Sequence, residues 1–219
     1  IKHETIYYPN KIKQIIGRLN TQNLSEKEER EAVETITELI EYYKGIFTIL
    51  SSCAARQLEE VTFRRTTIPV QELFDAAGKY FRKVMKNRME KIELIMEPME
   101  AKVIGDVNQL RFLFENLIDE ALAVHEEGVI RLQARKDNEY VRFLFTDTRR
   151  EKSVTELNQL FYPNLARMTS GEKGELRGTE YLICKQIIRD HDEFAGRRGC
   201  RINAEPAEGG GFTVYFTIP

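Results

Sequence analysis

Val129-Ile130-Arg131-Leu132-Gln133-Ala134-Arg135, a polar turn at Lys136–Glu139, and Tyr140-Val141-Arg142-Phe143-Leu144-Phe145-Thr146 form the stretch that decides the fold. Both runs alternate apolar with polar side chains. That period of two marks a strand with one buried face, and the turn makes the pair a hairpin. Just upstream, Leu110, Leu113, Phe114, Leu117, Ala121 and Val124 recur at helical spacing behind Asp106, a residue suited to capping a helix start. A helix feeding a hairpin predicts a layered α/β domain. Working outward, Leu73, Ala76, Ala77, Tyr80, Phe81 and Val84 predict another helix, and Ile92 to Met96 a short strand. Toward the C-terminus a helix is expected over Glu180–Arg189. Strands follow near Cys200–Ala204 and Phe212–Ile218, joined through Glu208-Gly209-Gly210-Gly211.

The first 60 or so residues read differently. Ile12, Ile15, Ile16 and Leu19 share a helical face after Pro9, and Ser25 with Glu28 spells a capping box for a second helix. Val33, Ile36, Ile40, Tyr43, Phe47, Leu50 and Ala54 then alternate steps of three and four. Opposite them stand Glu29, Glu31, Glu34, Glu38 and Glu41. Such a seam requires a partner helix, and two helices bury little by themselves. A hairpin that dimerises into a four-helix bundle is therefore expected. The pattern breaks around Thr62–Pro69, read as a linker. The domains expected are residues 1–62, helical, and residues 63–219, an α/β sandwich.

The chain of 219 residues is long enough for a core, and 42% apolar with 31% charged residues excludes global disorder. Lys plus Arg number 33 against 35 acidic residues, a net charge of −2 that excludes an overall nucleic-acid footprint. The basic stretch Arg82, Lys83, Lys86, Arg88 and Lys91 reads as a solvated helix face. No apolar run is long enough to span a bilayer, so no membrane contact by this stretch is expected. Ile1 rather than Met opens the chain, which points to a piece of something longer. Cys53, Cys184 and Cys200 are odd in number and far apart, as in a reducing, cytoplasmic setting. His3, His125 and His191 lack the spacing of a metal site. There is no phosphate-loop motif and no serine-nucleophile elbow, and Gly209–Gly211 reads as a hairpin turn.

His3-Glu4 at the head of the first helix admits two readings. A carboxylate beside an imidazole can orient one nitrogen and raise its basicity, making it ready to accept a phosphoryl group. Equally, a histidine there can be an ordinary surface residue in a terminal turn.

Taken in order, the motifs resemble the cytoplasmic core of two-component sensor histidine kinases. His3-Glu4 with Pro9 is similar to the phosphoacceptor box, with the proline one residue later than usual. Val103-Ile104-Gly105-Asp106, Leu110 and Asn116-Leu117-Ile118-Asp119-Glu120-Ala121 resemble the run into the asparagine box. Gly128-Val129-Ile130-Arg131-Leu132 and Val141 to Thr148 resemble the hairpin entering the first glycine box. Leu160-Phe161-Tyr162-Pro163 is similar to the phenylalanine box. Gly178 and Leu182 to Ile188, then His191, resemble the second glycine box and its helix, and Gly209 to Pro219 the last strand. The resemblance implies a Bergerat-type ATP-binding domain, an α/β sandwich with a mixed sheet and helices on one face, with ATP and Mg²⁺ as cofactors. His3 would be the nucleophile and Glu4 its orienting base. Asn116 and Glu120 would be metal ligands, Asp147 the adenine reader, and Gly178 and Lys185 further nucleotide contacts. Homodimerisation through residues 1–60 and a response-regulator partner are implied as well.

The departures fall on the nucleotide site. Glu120 stands where the family has a second amide. Arg149 and Glu151 replace glycines that let backbone approach the base. Of three further glycines only Gly178 survives, the others being Leu176 and Glu180, and a carboxylate at a helix start repels phosphate. Asp192 to Gly199 reads as an insertion. The expectation is a histidine-kinase-like dimeric signalling core, pseudokinase-like, with ATP-dependent autophosphorylation impaired or absent. The alternative is an active kinase passing phosphate from ATP to His3 and on to a regulator.

Overall fold

The computed structural model describes residues 2–21, 24–40, 63–162 and 180–219, with side chains from residue 10 onward. The chain divides into two compact units. The first contains α1 (Lys2–Thr21) and α2 (residues 26–40). Ser25 opens α2 as the sequence predicts: its hydroxyl lies 3.4 Å from the Glu28 amide, and its own amide donates to the Glu28 carboxylate at 2.8 Å. The seam positions from Tyr43 to Ala54, and Cys53, lie outside the described residues.

The second unit holds β1 (Thr66–Pro69), α3 (Val70–Met85), β2 (Ile92–Glu97), β3 (Lys102–Gly105), α4 (Val107–Leu122), β4 (Gly128–Asp137) and β5 (Tyr140–Asp147). It continues with α5 (Val154–Gln159), α6 (Glu180–Phe194), β6 (Ile202–Pro206) and β7 (Phe212–Ile218). Five strands form one sheet in the order β2-β4-β5-β7-β6. β2 runs parallel to β4 and every other pairing is antiparallel, so the sheet is mixed as expected. Asn138 takes a positive φ of 55° in the β4–β5 turn, a conformation asparagine tolerates.

One face of the sheet carries Ile130, Leu132, Phe143, Phe145, Val214 and Phe216, all buried. Against it lie α3, α4 and α6, with α4 touching both of the others. Phe143 stacks on Phe216 with ring centroids 5.0 Å apart, and Phe114 of α4 meets both rings. Asp106 caps α4, its carboxylate accepting from the amides of Asn108 and Gln109. It also accepts from the Arg64 amide at 2.8 Å, tying the entry of the unit to the helix start.

Two expectations need correction. The stretch read as a linker contains β1, which pairs antiparallel with β3 as a separate two-stranded sheet. Four residues are too few to show a period, and the strand exists only through pairing with a segment 35 or so residues away. The helix expected to end at Arg189 continues to Phe194, within the segment read as an insertion.

Candidate functional site

β5 ends at Asp147, whose side chain follows Phe143 and Phe145 onto the helix-bearing face and is 1% exposed. Its Oδ1 accepts from the Arg149 amide at 3.0 Å and from Arg149 Nε at 2.8 Å. Its Oδ2 accepts from Arg149 Nη2 at 3.0 Å and Arg150 Nε at 3.1 Å. A carboxylate offers about four lone-pair sites, so these four donors fill it.

Arg149 is as buried as its partner, with 1% of its side chain exposed. Beyond Asp147, its Nη2 donates to the Ala121 carbonyl at 2.7 Å and its Nη1 to Glu126 at 3.0 Å. Ala121 sits in the last turn of α4, where carbonyls lack helical partners, so the guanidinium closes that helix end against the end of the strand. Room for its stem depends on Gly128. A Cβ there would stand 2.7 Å from Arg149 Cγ, and the φ of +140° favours glycine in any case. Gly211 serves the same corner: its Cβ would fall 2.1 Å from the Asp147 carbonyl.

Arg150 completes the cluster. Its Nη2 donates to the Glu120 carbonyl at 3.3 Å, its Nη1 lies 3.8 Å from the Glu120 carboxylate, and its guanidinium is 5.7 Å from the Phe212 ring centre. Glu120 and Asp147 are thus bridged by one cation. Asn116 lies one turn before Glu120 on α4 and is 6% exposed, its amide donating back to the Phe112 carbonyl at 2.7 Å. Lys185 on α6 donates to the Phe161 carbonyl at 3.3 Å, with its ammonium 4.0 Å from the centre of the Tyr162 ring. Glu180 is the first residue of α6. Next to it, burial pushes the Tyr181 hydroxyl well above its ordinary pKa, with the Glu120 charge adding to the effect. Cys184 is raised likewise by burial and by Glu180, so both stay neutral at physiological pH.

His3 and Glu4 lie on α1, in the other unit. Gly178 lies outside the described residues. His191 is a core histidine: Nε2 accepts from the Asp106 amide at 3.1 Å, and Nδ1 lies 2.8 Å from the Ile187 carbonyl. Burial holds its pKa below the ordinary value despite these bonds. Among the described residues no cluster of His, Cys, Asp or Glu is suited to hold a metal.

In the sequence Arg149 stands only as the replacement of a glycine, which shows neither its guanidinium turning back onto Asp147 nor the part taken by Arg150. The available signal was the spacing, two arginines placed two and three residues after a strand-end aspartate.

The sequence profile of the histidine kinase-, DNA gyrase B- and HSP90-like ATPases matches residues 105–219. The chain belongs to this family. The match begins at the end of β3 and includes all the charged cluster. No curated protein matches the chain in sequence. Among solved structures, the catalytic domain of histidine kinase ThkA is 20% identical, covering 71% of this chain and 95% of that one, with a TM-score of 0.56. Acinetobacter baumannii histidine kinase AdeS is 13% identical over 99% of this chain and 96% of its own, with a TM-score of 0.54. ThkA in complex with the response regulator protein TrrA is 18% identical at a TM-score of 0.58, with coverage of 100% of this chain and 59% of that one. At such identities the likeness establishes the fold, that of histidine kinase catalytic domains. Within this ATPase family, Asp147, Arg149 and Arg150 sit inside the matched region.

Proposed function

We propose that the chain is the histidine-kinase-like signalling core of a two-component system, with its ATP-dependent reaction impaired or absent. The observation that carries the reading is the saturated Asp147 carboxylate. An aspartate that reads adenine must accept a hydrogen bond from the exocyclic amine, and here buried guanidinium donors take its acceptor positions. Arg150 also engages the carboxylate of Glu120, one of the two side chains offered to Mg²⁺. The residues as they stand do not fit an adenine nucleotide with its metal.

The remaining roles belong to the same reading. Residues 1–62 form the dimerising helical domain and residues 63–219 the ATPase-like domain. His3, oriented by Glu4, serves as a phosphorelay acceptor if it is charged by another protein. ThkA was captured with a response regulator protein, and by analogy a response regulator is the partner proposed here. A cytoplasmic position follows from that partnership. No described helix is long and apolar enough to cross a membrane.

Titration of a fluorescent ATP analogue tests the proposal on the full chain. Wild type should not respond in the micromolar range. Arg149→Gly combined with Glu151→Gly and Glu180→Gly should bind about tenfold better, because donors leave Asp147 and a carboxylate leaves a helix start. Adding Asp147→Asn should remove that gain. A folded triple variant that binds no better than wild type places the defect elsewhere. Wild type that binds tightly and labels His3 with phosphate is an active kinase.

A further inference from the structure

The helix α3 separates its side chains sharply. Val70, Leu73, Phe74, Ala77, Gly78 and Phe81 are buried. Lys79, Arg82, Lys83 and Lys86, at steps of three and four, occupy the opposite side and are all exposed. The chain then leaves the helix through a turn carrying Arg88, Met89 and Lys91. Met89 is 97% exposed, far more than any other large apolar side chain described. From Ala76 to Met89 there is no acidic residue, in a chain whose net charge is −2. Glu90 is committed to Arg88 at 3.4 Å and to His125. At the other end of the stripe Glu72 pairs with Arg111 at 2.7 Å and Asp75 accepts from Gln71 at 2.8 Å, while Glu115 of α4 lines the same surface as Lys79 and Lys83. Lys79, Arg82, Lys83, Lys86 and Lys91 form no ion pair among the described residues.

We propose that this corner, the Lys79–Lys86 stripe with the Met89 tip, docks on an anionic lipid surface. Unpaired lysines beside acidic headgroups gain attraction that grows with each added charge. A nearly bare thioether flanked by Lys86, Arg88 and Lys91 presents an apolar group at the one place where the cations would bring it to the headgroup boundary. A nucleic-acid surface fits less well. Tyr80, within the stripe, donates its hydroxyl to Asp119 at 2.8 Å, and among the described residues the exposed rings, Tyr162 and Phe194, belong to neither α3 nor its exit turn. The absence of a spanning helix led to the expectation of no membrane contact. That argument concerns crossing a bilayer and leaves adsorption on its surface open.

Cosedimentation of the full chain with vesicles tests the assignment. Phosphatidylcholine vesicles containing phosphatidylglycerol should retain the protein, and pure phosphatidylcholine should not. Lys79→Glu/Lys83→Glu/Lys86→Glu should weaken partitioning by at least about a hundredfold, roughly fivefold for each lysine removed. Met89→Asp should weaken it several-fold at constant salt, and raised salt should suppress binding generally. All four positions are exposed, and circular dichroism of each variant confirms that it folds. Failure of wild type to bind anionic vesicles overturns the proposal. So does binding that the triple charge reversal leaves unchanged. Retention by duplex DNA or RNA without retention by vesicles would reassign the corner to nucleic acid.

Discussion

With its side chain removed, Arg149 would no longer supply donors to both oxygens of Asp147 or to the carbonyls of Ala121 and Glu126. Because both partners are 1% exposed, Arg149→Ala leaves a buried carboxylate with Arg150 as its remaining cation. The expected cost is about 3 kcal/mol in urea denaturation. Arg149→Met with Asp147→Leu should recover most of that loss, since replacing a buried pair by apolar groups is often near neutral. Recovery would identify the single variant's cost as stranded charge. His191 makes a second prediction at this scale. Its folded pKa is depressed, so below about pH 6.5 the unfolded chain binds more protons than the folded one. The stability it contributes is present above that value and is lost as pH falls toward the lower folded pKa. Denaturation measured from about pH 7.5 to about pH 5 should show wild type losing stability. His191→Gln, less stable throughout, should lose less over the same interval.

The elements owe their ends to a few polar side chains and their order to the sheet. Asp106→Ala deprives the amides of Asn108, Gln109 and Arg64 of their acceptor at once. A single lost cap costs about 1 kcal/mol, and this one should cost about 2 kcal/mol in thermal or urea unfolding. Asp106→Asn should fall between. Most of this architecture was legible beforehand because it is local. The period of two in β4 and β5, the period of 3.6 in α4 and the caps at Ser25 and Asp106 are all written within a few residues of one another. What stayed hidden depends on partners distant in sequence. β1 is a strand because Thr66 faces Gly105. The same holds at the site. The positions of Asn116, Glu120 and Asp147 could be named from motif order. The direction taken by Arg149 depends on the space over Gly128 and on a carbonyl at the end of α4, neither of which a local pattern encodes.

For the whole molecule, the proposed dimer has a physical marker in the helical unit. Leu39 is buried, whereas Ile16, Val33 and Ile40 are 43%, 54% and 42% exposed. Apolar side chains recurring on helices with that exposure are the kind of surface a second copy would cover. Light scattering at micromolar concentration should give twice the chain mass. Val33→Asp with Ile40→Asp should return a monomer while the ATPase-like unit stays folded. A monomeric wild type would contradict the assembly without touching the account of Asp147. Whether the guanidinium-filled Asp147 carboxylate keeps nucleotide out is tested most directly by calorimetric titration of Mg-ATP into the intact chain. The expected result is affinity poorer than about millimolar, less than about 4 kcal/mol of binding free energy. A dissociation constant in the low micromolar range would contradict it.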